Sequence, residues 1–164
     1  MVSPFQIRTA TIEDIPLIRQ LSYNIWPQVY RSIISPSQID YMLEWMYNEE
    51  ALSNQMVNEG ITYLLIENDK AHGFAAFGAG ENKRCKLHKL YVSPAMHGKG
   101  LGRMLVLEII KSLPNDCIGL ELQVNKNNPA QNFYTKLGFT VEKEAVFDIG
   151  NGYVMDDYIM FRPI

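Results

Sequence analysis

The segment Leu90-Tyr91-Val92-Ser93-Pro94-Ala95-Met96-His97-Gly98-Lys99-Gly100-Leu101-Gly102-Arg103 carries the strongest chemical signal in the chain. An apolar strand halts at a proline, and glycine then takes every second position at the start of a long apolar helix. Glycine lets the backbone approach an anion without a Cβ in the way. The first N–H groups of a helix have no internal partner and lie at the positive end of its dipole. Such a loop can therefore cradle a phosphate, and Lys99 and Arg103 add charge where a diphosphate would lie. The glycines at 98, 100 and 102 match neither common nucleotide fingerprint, since a P-loop and the dinucleotide fold both need other spacings. A tight strand-to-helix turn would use the same residues, and the loop alone does not decide between the two.

Thiol and metal chemistry have no comparable pattern. Cys85 and Cys117 stand far apart without metal-type neighbours and read as two free thiols of a reducing compartment. His72, His88 and His97 show no ligand spacing, so no metal is expected.

The elements that must position the loop follow from periodicity. Phe5–Thr9 reads as a short strand. Asp14 opens a helix with Pro16 in its first turn and an apolar stripe of Ile15, Ile18, Leu21 and Ile25. Ser35 and Pro36 start a second helix, with Gln38 expected to complete a capping box and Ile39, Met42, Leu43 and Met46 facing inward. Thr62–Ile66, Gly73–Phe77 and Lys86–Val92 read as strands. The helix after the glycine loop runs to about Leu113, Gly119–Val124 is a further strand, and Pro129–Leu137 a further helix stopped by a left-handed Gly138. Ala145–Ile149 and Tyr153–Phe161 close the chain as a hairpin around Gly150-Asn151-Gly152. This order predicts one α/β domain over residues 1–164 with at least one strand–helix–strand crossover.

Composition narrows the function classes. A length of 164 residues buries enough surface for an ordinary core without disulfides or metals. The formal charge of −3 gives no basic excess for nucleic acid. No apolar run approaches the roughly 20 residues of a membrane span, and the start MVSPFQIRTA lacks the basic and apolar regions of a signal peptide. A cytoplasmic protein is expected, with no nucleic-acid or membrane partner.

A second segment, Asn127-Asn128-Pro129-Ala130-Gln131-Asn132-Phe133-Tyr134-Thr135-Lys136-Leu137-Gly138-Phe139, gives the glycine loop its context. Together the two resemble the signature of the GCN5-related N-acetyltransferase (GNAT) family. That signature is a strand ending in Val-x-Pro, then Gln/Arg-x-x-Gly-x-Gly/Ala, and later Asn-x-x-Ala-x-x-Phe-Tyr-x-Lys-x-Gly-Phe. This chain departs at His97, where the family usually has Gln or Arg. The resemblance covers essentially the whole chain. It implies a mixed, mostly antiparallel sheet of six to seven strands, splayed at its centre and flanked by about four helices.

It further implies acetyl-coenzyme A as the donor. The diphosphate would lie on His97, Gly98, Lys99, Gly100, Leu101, Gly102 and Arg103. The pantetheine arm would pair with Leu90, Tyr91 and Val92, and Asn127 or Asn132 with Tyr134 would flank it. The Tyr134 phenol would donate a proton to the leaving thiolate. The acceptor must arrive deprotonated, because an alkyl ammonium with a pKa of about 10.4 is no nucleophile at neutral pH. His88 and Glu121 are the candidate bases, beside a chain of waters. His88 is expected to share strand parity with Lys86, Leu90 and Val92.

The acceptor site would be built by the first two helices and the last strands. There Trp26, Tyr30, Tyr41 and Trp45 supply aromatic faces, and acids stand close by, Asp40, Glu44, Glu49 and Glu50 with Asp156 beside Asp157 on the last strand, a set suited to a cationic amine. The tail and the aromatic second helix also resemble bacterial polyamine N-acetyltransferases. The expected function is acetyl transfer to a primary amine of a small polyamine-like molecule, by a monomer or homodimer. The alternatives are a protein or peptide N-acetyltransferase and a non-catalytic coenzyme A sensor.

Overall fold

The computed structural model describes residues 3–164. In chain order the elements are β1 (Gln6–Thr9), α1 (Ile15–Tyr30), α2 (Pro36–Tyr47), α3 (Glu49–Val57), β2 (Thr62–Glu67), β3 (Ala71–Ala79), β4 (Arg84–Val92), α4 (Leu101–Ser112), β5 (Gly119–Asn125), α5 (Ala130–Lys136), β6 (Thr140–Gly150) and β7 (Tyr153–Pro163). The strands form one sheet in the order β1-β2-β3-β4-β5-β7-β6. Every neighbouring pair is antiparallel except β4 and β5, which α4 joins as a parallel pair.

The helices number five among the described residues, where the sequence suggests about four. The extra one is α3. Asn48 caps it by accepting from the Ala51 N–H at 2.8 Å, and only Leu52 is fully buried in it, so it has no apolar stripe to announce itself. At the start of α2, Ser35 accepts from the Gln38 N–H at 3.1 Å as expected. The Gln38 side chain does not complete the box. It donates instead to the Val154 carbonyl at 2.9 Å and ties α2 to β7. Gly138 stops α5 at φ +93, and the Phe139 N–H returns to the Tyr134 carbonyl. β6 is longer than expected because its first residues, Thr140–Glu144, are exposed on both faces, which hides their period.

Two features of β4 shape the middle of the sheet. It pairs with β5 only from Arg84 opposite Gly119 to Leu87 opposite Leu122. Both strands run on beyond that point, so they part and leave a gap in mid-sheet. Opposite β3, Phe77 pairs with Leu87 and Ala76 with Lys89, so His88 is the extra residue of a bulge. The bulge reverses the alternation. Cys85 and Leu87 face the α4–α5 side before it, and Leu90 and Val92 take that side after it. Lys89 and Tyr91 turn toward α1–α3. The simple alternation that grouped Lys86 and His88 with Leu90 and Val92 therefore breaks at the bulge, and Lys86 lies on the face opposite Leu90 and Val92.

Each face of the sheet has its own core. Leu101, Leu105, Val106 and Ile109 of α4 cover one face with Leu87, Leu120, Leu122 and Phe139. Ile15, Ile18, Leu21, Ile25 and Trp26 of α1 cover the other with Tyr47, Tyr63 and Phe74. Both cysteines are buried free thiols. No helix of the described residues is long and apolar enough to cross a membrane.

Candidate functional site

The glycine loop leaves β4 at the open end of the gap. Gly98 and Gly100 both have φ +82, a region that L side chains avoid, and a Cβ on either would meet nothing within 4 Å. Gly100 is the first residue flanking α4 and carries no side-chain cap. The bond from Met104 N–H to Gly100 C=O, 3.0 Å, is the first of the helix. The N–H groups of Leu101, Gly102 and Arg103 therefore point out of its start without a helical acceptor. Lys99 and Arg103 are exposed, and neither pairs with an acid among the described residues. An open cradle of amides, two cations and free space suits a diphosphate. Gly102 serves packing rather than the cradle. A Cβ there would meet the Phe133 ring at 3.1 Å, so the glycine lets α4 close on α5. The His97 ring is engaged elsewhere, with its Nε2 donating to the Val92 carbonyl at 2.9 Å.

The gap itself is lined by hydroxyls. Tyr91 from β4 and Tyr30 from the end of α1 share a hydrogen bond of 2.9 Å. Tyr134 of α5 is buried and belongs to the core of the opposite face, yet the Tyr30 phenol adds to the upward shift of its own. The gap thus connects the two faces of the sheet. Burial pushes the ionisation of Tyr30, Tyr91 and Tyr134 to higher pH alike, so all three are protonated phenols at neutral pH. Beyond Leu87 the edge of β4 that faces β5 has no strand beside it, so Leu90, Tyr91 and Val92 can offer backbone groups to an extended ligand.

The wall on the α1–α3 side comes from α2 and the closing hairpin. The Tyr41 hydroxyl donates to the Ile149 carbonyl at 2.6 Å, and its ring lies 5.2 Å from that of Tyr153 and 6.3 Å from that of Trp45. Tyr153 in turn bonds Ser37 at 2.9 Å. A Cβ on Gly150 would meet the Tyr41 hydroxyl at 2.8 Å, so the glycine lets the hairpin tip dock. Trp45 is 49% exposed and free to meet a ligand. Trp26, expected there too, is 1% exposed; its ring packs under Tyr91 and its Nε1 donates to the Tyr47 hydroxyl at 3.2 Å. It supports the site from the core.

The charged candidates sort by burial and partner. Glu121 lies at the closed end of the gap, opposite Lys86, and is held by Arg84 at 3.1 Å, which also binds Glu142. His88 is pushed down to about 4 by burial, with Lys86 and Lys89 adding to the shift, so it is neutral at pH 7. Asp156 projects from the hairpin into an ion pair with Lys126 at 2.9 Å. Its neighbour Asp157, which the sequence offered beside Asp156 without singling it out, is 2% exposed and pairs in register with Asn125 at the parted end of β5. Burial pushes its carboxyl up to about 6; Asp156 reinforces this and Lys86 opposes it. Strand alternation allows only one of two adjacent acids to face inward, and the sequence does not say which. Likewise Asn127 and Asn132 are exposed, whereas Asn128 is buried, accepts from the Ala130 N–H at 2.9 Å, and adjoins Tyr30. Among the described residues no cluster of His, Cys, Asp or Glu could hold a metal ion.

Comparison with known proteins places these features in company. The profile of the acetyltransferase (GNAT) family matches residues 23–139. An uncharacterised N-acetyltransferase of Mycobacterium bovis is 32% identical over 94 residues, which spans 56% of this chain and 60% of that relative. Spermidine N(1)-acetyltransferase of Thermoplasma acidophilum is 30% identical over 92% of this chain and 95% of its own length. The crystal structure of PaiA N-acetyltransferase from Thermoplasma acidophilum, in complex with coenzyme A, superposes with a TM-score of 0.83 at 26% identity, covering 99% of this chain and 100% of that one.

Proposed function

The chain belongs to the GNAT family of acetyltransferases, and from that premise we propose that it moves the acetyl group of acetyl-coenzyme A to a primary amine of a small, cationic, polyamine-like acceptor. The observation that carries this reading is the continuity of three parts: the cradle at Gly98–Arg103, the parted edge of β4, and the hydroxyl-lined gap that joins the two faces of the sheet. Acetyl-coenzyme A, when bound, supplies a thioester carbonyl open to attack by an amine.

The residues of the chain do the rest. The amides from Gly98 to Arg103, with Lys99 and Arg103, would hold the diphosphate. Leu90, Tyr91 and Val92 would align the pantetheine arm by strand-like pairing, and α5 would close over it. Tyr134 keeps its proton because it is buried. It would hold that proton toward the sulfur, where negative charge develops as the thiolate leaves. Tyr41, Trp45 and Tyr153 would present ring faces to the acceptor cation. A polyamine-like acceptor is supported by this aromatic wall and by the 30% identity to a spermidine acetyltransferase.

Thiol release from acetyl-coenzyme A, measured against spermidine, spermine, amino acids, aminoglycosides and peptides, tests the proposal. Turnover with the polyamines and little with the rest is expected. Preference for peptides would move the reading to a protein acetyltransferase. Coenzyme A binding without turnover of any amine would make the chain a sensor.

A further inference from the structure

Between the two faces of the gap stands one acid whose charge nothing in the fold uses. Asp157 is 2% exposed, and no side chain among the described residues pairs with its carboxylate or donates to it. Its strand neighbours offer no compensation, since Asn125 on β5 and Ala145 on β6 are both uncharged. The charged and titratable groups that reach it are Lys86 from β4, Asp156 before it in β7, and the Tyr30 phenol from α1, whose ionisation Asp157 disfavours. The residue is packed into the sheet while its carboxylate oxygens take no bond from the fold and still reach the gap, so a cationic ligand there can complete them, as perturbed acids at functional sites do.

Its position suits the need left open by the chemistry. The acceptor enters as an ammonium and must lose a proton before it attacks. Glu121 is already held by Arg84 at the closed end of the gap. His88 sits in the bulge between two lysines and is neutral. Asp157 stands at the parted end, on the Tyr30 side, where the aromatic wall would deliver a cation. Resting on the acetyl-transfer reading above, we infer that Asp157 is a catalytic residue: its carboxylate binds the acceptor ammonium and takes one proton from it. In that step one N–H bond of the ammonium breaks and one O–H bond forms on the carboxyl, leaving a neutral amine beside a neutral acid. The proton then passes to solvent.

The test pairs kinetics with a measurement on the free protein. In the wild type, kcat/KM for spermidine should rise with pH through a midpoint near 6, the value to which burial pushes this carboxyl, and then level off. Asp157→Asn keeps the shape and cannot accept a proton. It should lower kcat/KM at pH 7.5 by about 10²-fold, erase the acidic limb, and leave the thermal shift caused by coenzyme A intact. A variant with full rate and an unchanged limb overturns the inference, as does one in which only KM rises while the limb persists. Should the variant fail to fold, the assigned carboxyl carbon of Asp157 in the wild type decides by ¹³C NMR without donor present. Titration near pH 6 that shifts on adding spermidine supports the role, and a signal that spermidine does not move refutes it. A wild type inert toward every amine brings down the acetyl-transfer reading instead, and that outcome is distinct from an active wild type whose Asp157→Asn variant is equally active.

Discussion

The two faces of the sheet bury side chains of different kinds. Under α4 and α5 the core is largely aliphatic, with Leu105, Val106, Ile109, Leu120 and Leu122 close to fully buried. Under α1–α3 it is aromatic and polar. Trp26 donates to Tyr47, Tyr63 donates to Gln55, and Lys89 lies 6% exposed with its Nζ 2.6 Å from the Tyr63 hydroxyl and 4.4 Å from the Tyr47 ring centre. An aliphatic core packs without directional demands and holds a backbone rigidly. That is what the glycine cradle needs, since its ligand would meet mainly main-chain amides. An aromatic core must satisfy each hydroxyl, and doing so fixes where the hydroxyls lie. That is what an acceptor site needs. The aliphatic face carries the glycine loop and Tyr134, the aromatic face carries the tyrosines of α1 and α2, and the parted strands let the two meet.

Three substitutions would break or sharpen this contrast. The largest effect belongs to the cradle. Gly100→Val puts a β-branched residue at φ +82 and a side chain into the open mouth of the loop. Coenzyme A affinity should fall at least about 10²-fold, and the stabilisation of about 2.7 kcal/mol that a ligand at 100 times its Kd confers should vanish. Titration calorimetry and thermal melts with and without coenzyme A would measure both. Normal binding would reduce the loop to a turn.

Tyr134→Phe comes next. It removes one oxygen at the point where the faces meet and keeps the ring that packs on Phe133 and Phe139. A fall in kcat on the order of 10²-fold is expected with KM for acetyl-coenzyme A nearly unchanged. Wild-type kcat at saturating amine would leave Tyr134 as a wall of the channel and confine the chemistry to the α1–α3 side.

The smallest effect concerns Lys89, whose ammonium is pushed down to about 7 by burial, with Glu59 opposing. The folded protein then holds this proton less tightly than the unfolded chain does. Protonation costs stability below that value, and stability should rise as pH climbs from 7 toward the ordinary lysine range. Lys89→Met removes the charge and should raise stability at pH 6 by on the order of 1 kcal/mol while flattening the rise between pH 6 and 9. Urea midpoints at the two pH values would show it. A wild type equally stable at both would mean that Tyr47 and Tyr63 already hold the cation as well as water does.

Local patterns made much of this legible in advance. Apolar spacing marked α1, α2 and α4, and the Ser35 cap, the Gly138 stop and the hairpin glycines each work through neighbouring backbone alone. The element order, with the glycine loop after one strand and the Asn127–Phe139 segment after the next, was enough to point to the family. Where local rules fell short, tertiary contact had intervened. Gln38 prefers the Val154 carbonyl to its own helix start, and α3 is tied down by its Asn48 cap, the buried Leu52 and the bonds that Tyr63 and Lys89 donate to Gln55.

The site divides along the same line. The glycine loop could be located in advance because it consists of backbone, and backbone geometry follows from glycine positions and a helix start. The proton chemistry could not, because the direction of a side chain depends on strand register. One extra residue at His88 reverses which residues of β4 face the α1–α3 side, and the alternation of β7 decides that Asp157 looks inward while Asp156 meets Lys126. The sequence by itself determined that a glycine-rich loop opens a helix and that aromatic and acidic residues stand elsewhere in the chain. Only the folded sheet decided which of those acids turns inward and which pairs with a lysine, since bulges and pairing depend on strands distant in the chain and leave no local mark.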